Sequence, residues 1–384
     1  MTKGKEEKIV VLQVLPELET GGVETGTIEI ASALSEKGIT NFVASQGGKM
    51  TAELKKLGVK HLTLPLKSKN ILVMRSNARK LAEFIRKNHI NIVHARSRAP
   101  AWSAYWAAKM TGAHFVTTFH GTYGLGPLGI KKVYNKVMTF GERVIAISNH
   151  IKAHILKNYP QTNEGKIRLI HRCADVAKFA PEAVSKERIV RKIKEYNVPD
   201  DKPVLLLPGR ITHWKGQHLL IEALHLMKHQ DYYCIITGDA QGRHKYMDSL
   251  RNLSRKYGLE NRIGFFGRYS DVPALMMIST VVLSTAIEPE AFGRISIEGQ
   301  AMGKIVVASN IGGSLDTIQD EVTGKFFESG NAQSLADALD WALGLSKEKA
   351  KKIGDSGIKN VREHFTKQIM CDKTLKVYRE VVNE

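Results

Sequence analysis

The sequence predicts an α/β protein of two doubly wound domains, each a parallel sheet wrapped by helices. Three observations carry the prediction. Short β-rich runs alternate with amphipathic helical stretches along the whole chain. Several runs, VLLL at 204–207 and IVVA at 305–308 among them, are apolar throughout, as strands buried on both faces by crossover helices must be. The length, 384 residues, suits two cores better than one at roughly 150 residues per domain.

The first half offers strands at Lys8–Leu15, Phe42–Gln46, His61–Leu66, Ile92–Ala95, Phe115–Phe119, Val144–Ser148 and Ile167–Ile170. The second half repeats the arrangement at Val204–Pro208, Tyr233–Thr237, Ile263–Phe266, Val281–Ser284, Ile305–Ala308 and Lys325–Phe327. The join falls between Asp175 and Lys202, a polar stretch with Pro181, Pro199 and a charged helical run around Lys186–Tyr196. The domains are therefore set at 1–178 and 179–365. Thr366–Glu384 reads as one more amphipathic helix, with Ile369, Leu375, Val377 and Val381 as its apolar positions.

Composition narrows the class of protein. A chain that is 43% hydrophobic and 25% charged is an ordinary globular one, which excludes bulk disorder. Cys173, Cys234 and Cys371 are isolated, so neither a disulfide scaffold nor a thiolate zinc site is expected, and a reducing compartment fits. No apolar run approaches the ~20 residues needed to span a bilayer. The start, MTKGKEEKIVVLQVLP, mixes Lys with Glu and is unlike a signal peptide; a cytoplasmic location is expected. The net charge of +19 is uneven: residues 1–175 hold 27 basic and 12 acidic side chains, a net +15. The first half thus points to an anionic partner, whether nucleic acid, an acidic membrane surface or a phosphorylated substrate.

In a doubly wound sheet, ligands bind beyond the carboxyl ends of the strands. Four constellations stand at such places. The first is Glu290-Ala291-Phe292-Gly293-Arg294-Ile295-Ser296-Ile297-Glu298, after the strand VVLS and opening a helix. In an unbroken helix eight residues separate the carboxylates by about 12 Å. With Glu290 in the loop and Glu298 two turns into the helix, both converge on one crevice. Gly293 admits a ligand close to the backbone, and free N–H groups of the first turn suit a diphosphate. The plain alternative is a pair of solvated glutamates at a helix start. The second is Gly209-Arg210-Ile211-Thr212-His213-Trp214-Lys215-Gly216, after VLLLP, where a guanidinium fork and a compact ammonium suit phosphates, or are two surface cations in a turn. The third is Thr117-Thr118-Phe119-His120-Gly121; His120 at a strand end faces a crevice, or is a structural histidine. The fourth is Thr20-Gly21-Gly22-Val23-Glu24 between the first strand and helix, a tight turn of a kind common in such folds.

In this order the four motifs resemble a retaining GT-B glycosyltransferase of the large family four, or group 1, which includes bacterial transferases that build lipopolysaccharide and glycolipids. GGVE at 21–24, IAISNHIKAHI at 145–155, GRITHWKG at 209–216 as GR-x4-KG, and Glu290 with Glu298 as E-x7-E carry the likeness, with Asn310–Asp316 and Val322–Phe327 beyond. The resemblance implies two Rossmann-like domains facing across a crevice, with a nucleotide-sugar donor held by the second. It implies that Arg210 and Lys215 neutralise the diphosphate and that Glu298 binds the ribose. Glu290, amid Phe292, Gly293 and Arg294, contacts the transferred sugar. His120 reaches that sugar, Gly21 and Gly22 let the first loop close over the phosphates, and the last helix returns to the first domain. No Asp-x-Asp occurs, so no metal or other cofactor is expected. Two departures stand out: HRCAD at 171–175 where NGVD is commoner, and Asp316 where Glu is usual.

Other readings compete. Gly124–Gly129 is a formal GxGxxG, the mark of a nicotinamide-dependent dehydrogenase, but it lies mid-domain and Glu142 precedes the next strand. His218, Glu222, His225 and His229 share a helix face whose spacing could hold a metal, or form its solvated side. The basic stretch Lys67–Arg98 reads as a surface helix or as a contact with an anionic leaflet. A nucleic-acid-binding protein would explain +19, but no zinc finger, RNP-type or KH-type motif is present, so no specific nucleic acid is expected. The expected partners are a nucleotide sugar and a glycan or glycolipid acceptor, with peripheral contact to an anionic membrane.

Overall fold

The computed structural model describes residues 8–19, 21–124, 126–267 and 270–383. Its strands are β1 Val10–Val14, β2 Thr40–Ser45, β3 Lys60–Thr63, β4 Ile92–Ala95, β5 His114–Phe119, β6 Arg143–Ala146 and β7 Ile167–Leu169. They continue with β8 Val204–Pro208, β9 Tyr233–Thr237, β10 Ile263–Phe266, β11 Val281–Ser284, β12 Ile305–Ser309 and β13 Lys325–Phe327. Every run read as a strand from the sequence is one, with ends displaced by up to three residues. Displacement falls mostly in the first half, where Leu15, Leu64, Leu66 and Ile147 lie buried just past strand ends and extend the apolar pattern.

The chain divides into two compact units, Met1–Arg172 with Gln368–Glu384, and Cys173–Lys367. In the first, all pairings are parallel in the order β3-β2-β1-β4-β5-β6-β7. In the second they are parallel in the order β10-β9-β8-β11-β12-β13. Each order reverses once, between β1 and β4 and between β8 and β11. Within each sheet, the turns leaving its two strands at the reversal frame a natural place for a ligand.

The second unit's core joins Leu205, Leu207, Ile236, Val281, Leu283 and Val307 to the helices Gln217–Leu226 and Ala332–Leu343. The helix Lys367–Val382 closes the first unit. It buries Leu375, Val377 and Val381 as expected, leaves Ile369 half-buried, and adds Tyr378, whose hydroxyl meets Nδ1 of His94 at 2.7 Å. The second unit begins and ends at one spot: Ala174 bridges Thr366 in parallel, and Ala174 N–H donates to the Phe365 carbonyl at 2.9 Å.

Candidate donor site and its family

Two strand-end turns of the second unit build the site. The turn after β8 is pinned to the end of β9 by Gly209 N–H on the Thr237 carbonyl and Ile211 N–H on the Asp239 carbonyl, at 2.9 and 3.1 Å. Ile211 is fully buried and roots the turn in the core. At Gly216 the backbone is left-handed with φ 70°, and a Cβ there would overlap the Thr285 carbonyl. Only glycine meets both demands. Gln217 Nε2 donates to the Arg210 carbonyl at 2.9 Å, and Thr285 Oγ1 donates to the Lys215 carbonyl at the same distance. Thus the backbone under each cation is held by a side chain from outside the turn.

The cations so placed share an indole. Arg210 Cζ lies 5.7 Å and Lys215 Nζ 4.7 Å from the Trp214 ring centroid. Lys215 Nζ donates to Glu290 Oε1 at 2.6 Å, and Ser284 Oγ reaches the same oxygen at 3.3 Å. Both partners of the ion pair are largely shielded, at 15% and 16% side-chain exposure. A group held this way is neither of the bland alternatives, a free surface cation or a solvated helix-start glutamate. Arg210 itself is exposed and open to a ligand.

Beyond Glu290 the loop is fastened by Gly313 N–H on the Glu290 carbonyl at 2.8 Å, and by Phe292, buried edge-on against Phe365. Gly293, left-handed, starts the helix Arg294–Ala301 with no side-chain cap and no acid in its first turn. Its first N–H groups are therefore suited to an anion. Glu298 is buried and accepts from Arg294 Nη2 at 2.8 Å. It is the fifth residue of the helix, not two turns in, because the helix begins only at Arg294. Trp214, Ser284, Thr285 and Gln217 were missed in the sequence. Trp214 sits in a variable position of GR-x4-KG, and the other three act on partners that only the fold brings near.

The remaining expected residues lie in the first unit. Gly21 caps the helix Gly22–Glu36, and the Gly22 carbonyl accepts from Arg172 Nη2 at 2.7 Å. Arg172, the departure in HRCAD, is buried, lies 3.6 Å from Glu29, and fills the space left by the absent side chain of Gly26. His120 follows β5, half-buried, its Nε2 without a hydrogen-bond partner among the described residues. Burial, followed by the charges of Arg96 and Arg172 and by His94, pushes its pKa well below the ordinary value, so the imidazole is neutral. Arg96, deeply buried beside it, was not singled out from the sequence.

The competing motifs find other uses. Ring stacking takes His225 onto Tyr257 at 4.3 Å and His218 onto His213 at 4.4 Å, while His229 bonds Asp340 at 3.0 Å. Among the described residues no group of three metal-binding side chains forms. Leu125 of the GLGPLG loop, and Thr20 beside Gly21, lie outside the described residues. In the basic stretch, Asn70 caps the helix Ile71–Lys87 by accepting from Leu72 N–H at 2.9 Å. Leu72, in the first turn of that helix, is 70% exposed. No helix among the described residues is long and apolar enough to cross a membrane.

Two doubly wound parallel-sheet units in one chain are the architecture of the GT-B fold, and comparison with known proteins places the chain among the glycosyltransferases. The family model "Glycosyl transferases group 1" matches residues 189–360, and "Glycosyltransferase Family 4" matches 20–178. A solved glycosyltransferase from Rickettsia africae ESF-5 is 42% identical, covers 98% of this chain and all of that one, and superposes with a TM-score of 0.91. The chain belongs to the group 1 glycosyltransferases of family four. Alpha-maltose-1-phosphate synthase of Mycobacterium tuberculosis is 24% identical over 76% of this chain and 79% of that protein. Anabaena HepE, solved with UDP and glucose, shares the fold at 22% identity and a TM-score of 0.81, covering 96% of this chain and 98% of that one.

Proposed function

We propose that the protein moves a sugar from a nucleoside-diphosphate donor to a hydroxyl of a membrane-associated glycolipid, such as a lipopolysaccharide core, with retention of anomeric configuration. The observation that carries the donor half is the shielded Lys215–Glu290 pair beside Arg210, at the point where the strand order reverses. Arg210 and Lys215 bind the diphosphate, and the positive dipole end of the helix that starts at Arg294 adds to them. Glu298 takes the ribose hydroxyls, and Glu290 takes those of the sugar while aiming Lys215. From the first unit, His120 acts as a neutral hydrogen-bonding group on the sugar, and the Gly21–Gly22 turn admits the phosphates.

In the reaction the bond between the anomeric carbon and the diphosphate oxygen breaks, and its electron pair leaves on the diphosphate. Cations already in place stabilise that growing charge more than they stabilise the bound donor, which lowers the barrier. The acceptor hydroxyl attacks from the face the diphosphate leaves and gives its proton to a leaving phosphate oxygen. Retention follows without a covalent intermediate. Arg210 and Lys215 supply the positive charge that a divalent ion supplies elsewhere, so no metal is required.

The acceptor half rests on the net +15 of residues 1–175 and on exposed Ile71 and Leu72 between Lys67, Lys69 and Arg75. These suit the cytoplasmic face of an anionic membrane, at ~1 kcal/mol per well-placed cation. Since HepE was solved with UDP and glucose, UDP-glucose is the first donor to try. A panel of nucleotide sugars is to be screened for a rise in melting temperature, since a ligand of the native state stabilises it. One nucleotide family shifting the protein, with the shift lost in Arg210→Ala, supports the reading, and an unresponsive panel sinks it. Anomeric configuration of the product by NMR, activity in EDTA, and co-sedimentation with vesicles with and without anionic lipid test the other parts.

A further inference from the structure

The Gly21–Gly22 turn and His120, the two first-unit groups assigned to the donor, stand far apart in the chain, and one side chain lies behind both. Arg172, 4% exposed, brings a rigid fork of donors into the unit. Its Nη2 donates to the Gly22 carbonyl at 2.7 Å, its Nη1 lies 3.7 Å from the Met370 sulfur, and a Cβ on Gly26 would overlap it. The helix Gly22–Glu36 starts without a side-chain cap. Its first residue is therefore fastened from outside the helix, by Arg172.

Arg172 also lines one narrow cavity with His120, Thr118 and Arg96. Arg96 is 3% exposed and follows β4 as His120 follows β5, at the carboxyl ends of neighbouring strands. Two guanidiniums buried together are costly, and apolar packing in place of buried charges is often neutral or stabilising. Burial, and then the charge of Arg172, lowers the pKa of Arg96 to about 10. Glu29, 3.6 Å from Arg172, sets one negative charge against the two positive ones. Stability gives no reason for the second cation, but His120 does. A proton added to that imidazole would face both guanidiniums, in a site that burial already makes poor for charge. His94 of β4 faces it as well, and Tyr123 of its own loop bonds its backbone. Tyr378 and Cys371 of the last helix lie behind, towards Arg96.

We propose that Arg172 is a positioning residue of the sugar transfer: it sets the Gly21–Gly22 turn through the Gly22 carbonyl and, with Arg96, backs His120 with positive charge so that the imidazole meets the sugar unprotonated. The inference rests on the reading of that turn and of His120 as donor groups. A neutral imidazole can accept a hydrogen bond from a sugar hydroxyl or donate one, whereas a protonated one only donates. Staying neutral also keeps a further cation away from the anomeric carbon, where positive charge grows as the diphosphate leaves.

The full chain is tested as wild type, Arg172→Lys, Arg172→Gln and Arg96→Gln. Imidazole NMR follows His120, whose signals are those missing in His120→Asn. At pH 5 the protonated fraction of His120 should rise by about 2-fold or more in Arg172→Gln and Arg96→Gln, and stay near wild type in Arg172→Lys, which keeps the charge. UDP affinity by calorimetry should fall by about 5-fold or more in both Arg172 variants, which lose the fork on the Gly22 carbonyl, and hold in Arg96→Gln. A merely structural Arg172 would lower the melting temperature of both its variants without separating them at His120. Equal His120 titration in those two, or UDP affinity untouched in both, overturns the proposal. A wild-type chain that does not bind UDP fails the donor reading instead, and the His120 titrations still decide what Arg172 does at the imidazole. Should Arg172→Gln not fold, Arg96→Gln against Arg172→Lys makes the same comparison of lost and kept charge.

Discussion

Arg172 donates from Nη2 to the carbonyl of Gly22 at 2.7 Å, and its guanidinium fills the volume that a side chain at residue 26 would occupy. Gly26 lies within the helix Gly22–Glu36, where Ala is normally favoured over Gly by about 0.8–1 kcal/mol. Gly26→Ala should nevertheless destabilise the protein, by about 1–3 kcal/mol, because a buried guanidinium must shift. In an Arg172→Ala background the same change should turn stabilising. Urea unfolding of the four proteins checks this, and a cycle that closes additively would show that the two residues do not depend on each other.

Lys215 and Arg210 flank one indole but have different neighbours. Arg210→Ala should lower turnover at saturating donor by about 10²-fold, the loss typical of one transition-state donor. Lys215→Met should cost at least as much, since it also frees Glu290 from its 2.6 Å partner. Steady-state kinetics with separate kcat and KM decide it. A change confined to KM would mean the cations bind donor without assisting bond cleavage.

Gly216→Ala is expected to be far worse than an ordinary surface change. It asks for a left-handed alanine, about 1–2 kcal/mol, and drives a methyl into the Thr285 carbonyl, about 1–3 kcal/mol more. Thermal unfolding should show the loss, and donor affinity should fall with it because Thr285 also holds the Lys215 carbonyl.

Stability should decline on the acid side. Burial holds His94 and His120 well below the ordinary histidine value of 6.5, and lowers His61, His154 and His218 in the same direction. Below about pH 6.5 the unfolded chain therefore binds more protons than the folded one, and unfolding free energy drops as pH falls. Above that pH these groups are neutral in both states and contribute no slope. Urea midpoints from pH 8 to pH 5 should be flat, then fall. His94→Gln should be less stable at pH 8, having lost its bonds to Tyr378 and Thr118, yet fall less steeply in acid.

Much of this architecture was legible in the chain. Apolar runs such as VLLL reveal buried parallel strands because crossover helices leave them no polar face. GR-x4-KG and E-x7-E were visible because glycines and charged groups at strand ends keep fixed spacing. The contacts that orient those charges were not visible. Gln217 and Thr285 look like ordinary polar residues, and their value comes from carbonyls that the fold delivers, 7 residues away for Gln217 and 70 for Thr285. Arg172 looked like a departure from a turn pattern, and its meaning lies in Gly22 and Gly26, some 150 residues earlier. Glu298 was placed a turn too deep because Gly293, by going left-handed, delays the helix start.

The bridge between Ala174 and Thr366 makes the stretch between them a cassette. Both its ends leave the sheet framework side by side, so a transplant needs only two neighbouring splice points. Exchanging residues 173–367 for the matching stretch of a relative with a different nucleotide preference is therefore the most economical chimera this protein allows. Donor choice should travel with the insert, while recognition built into the first unit stays with the host.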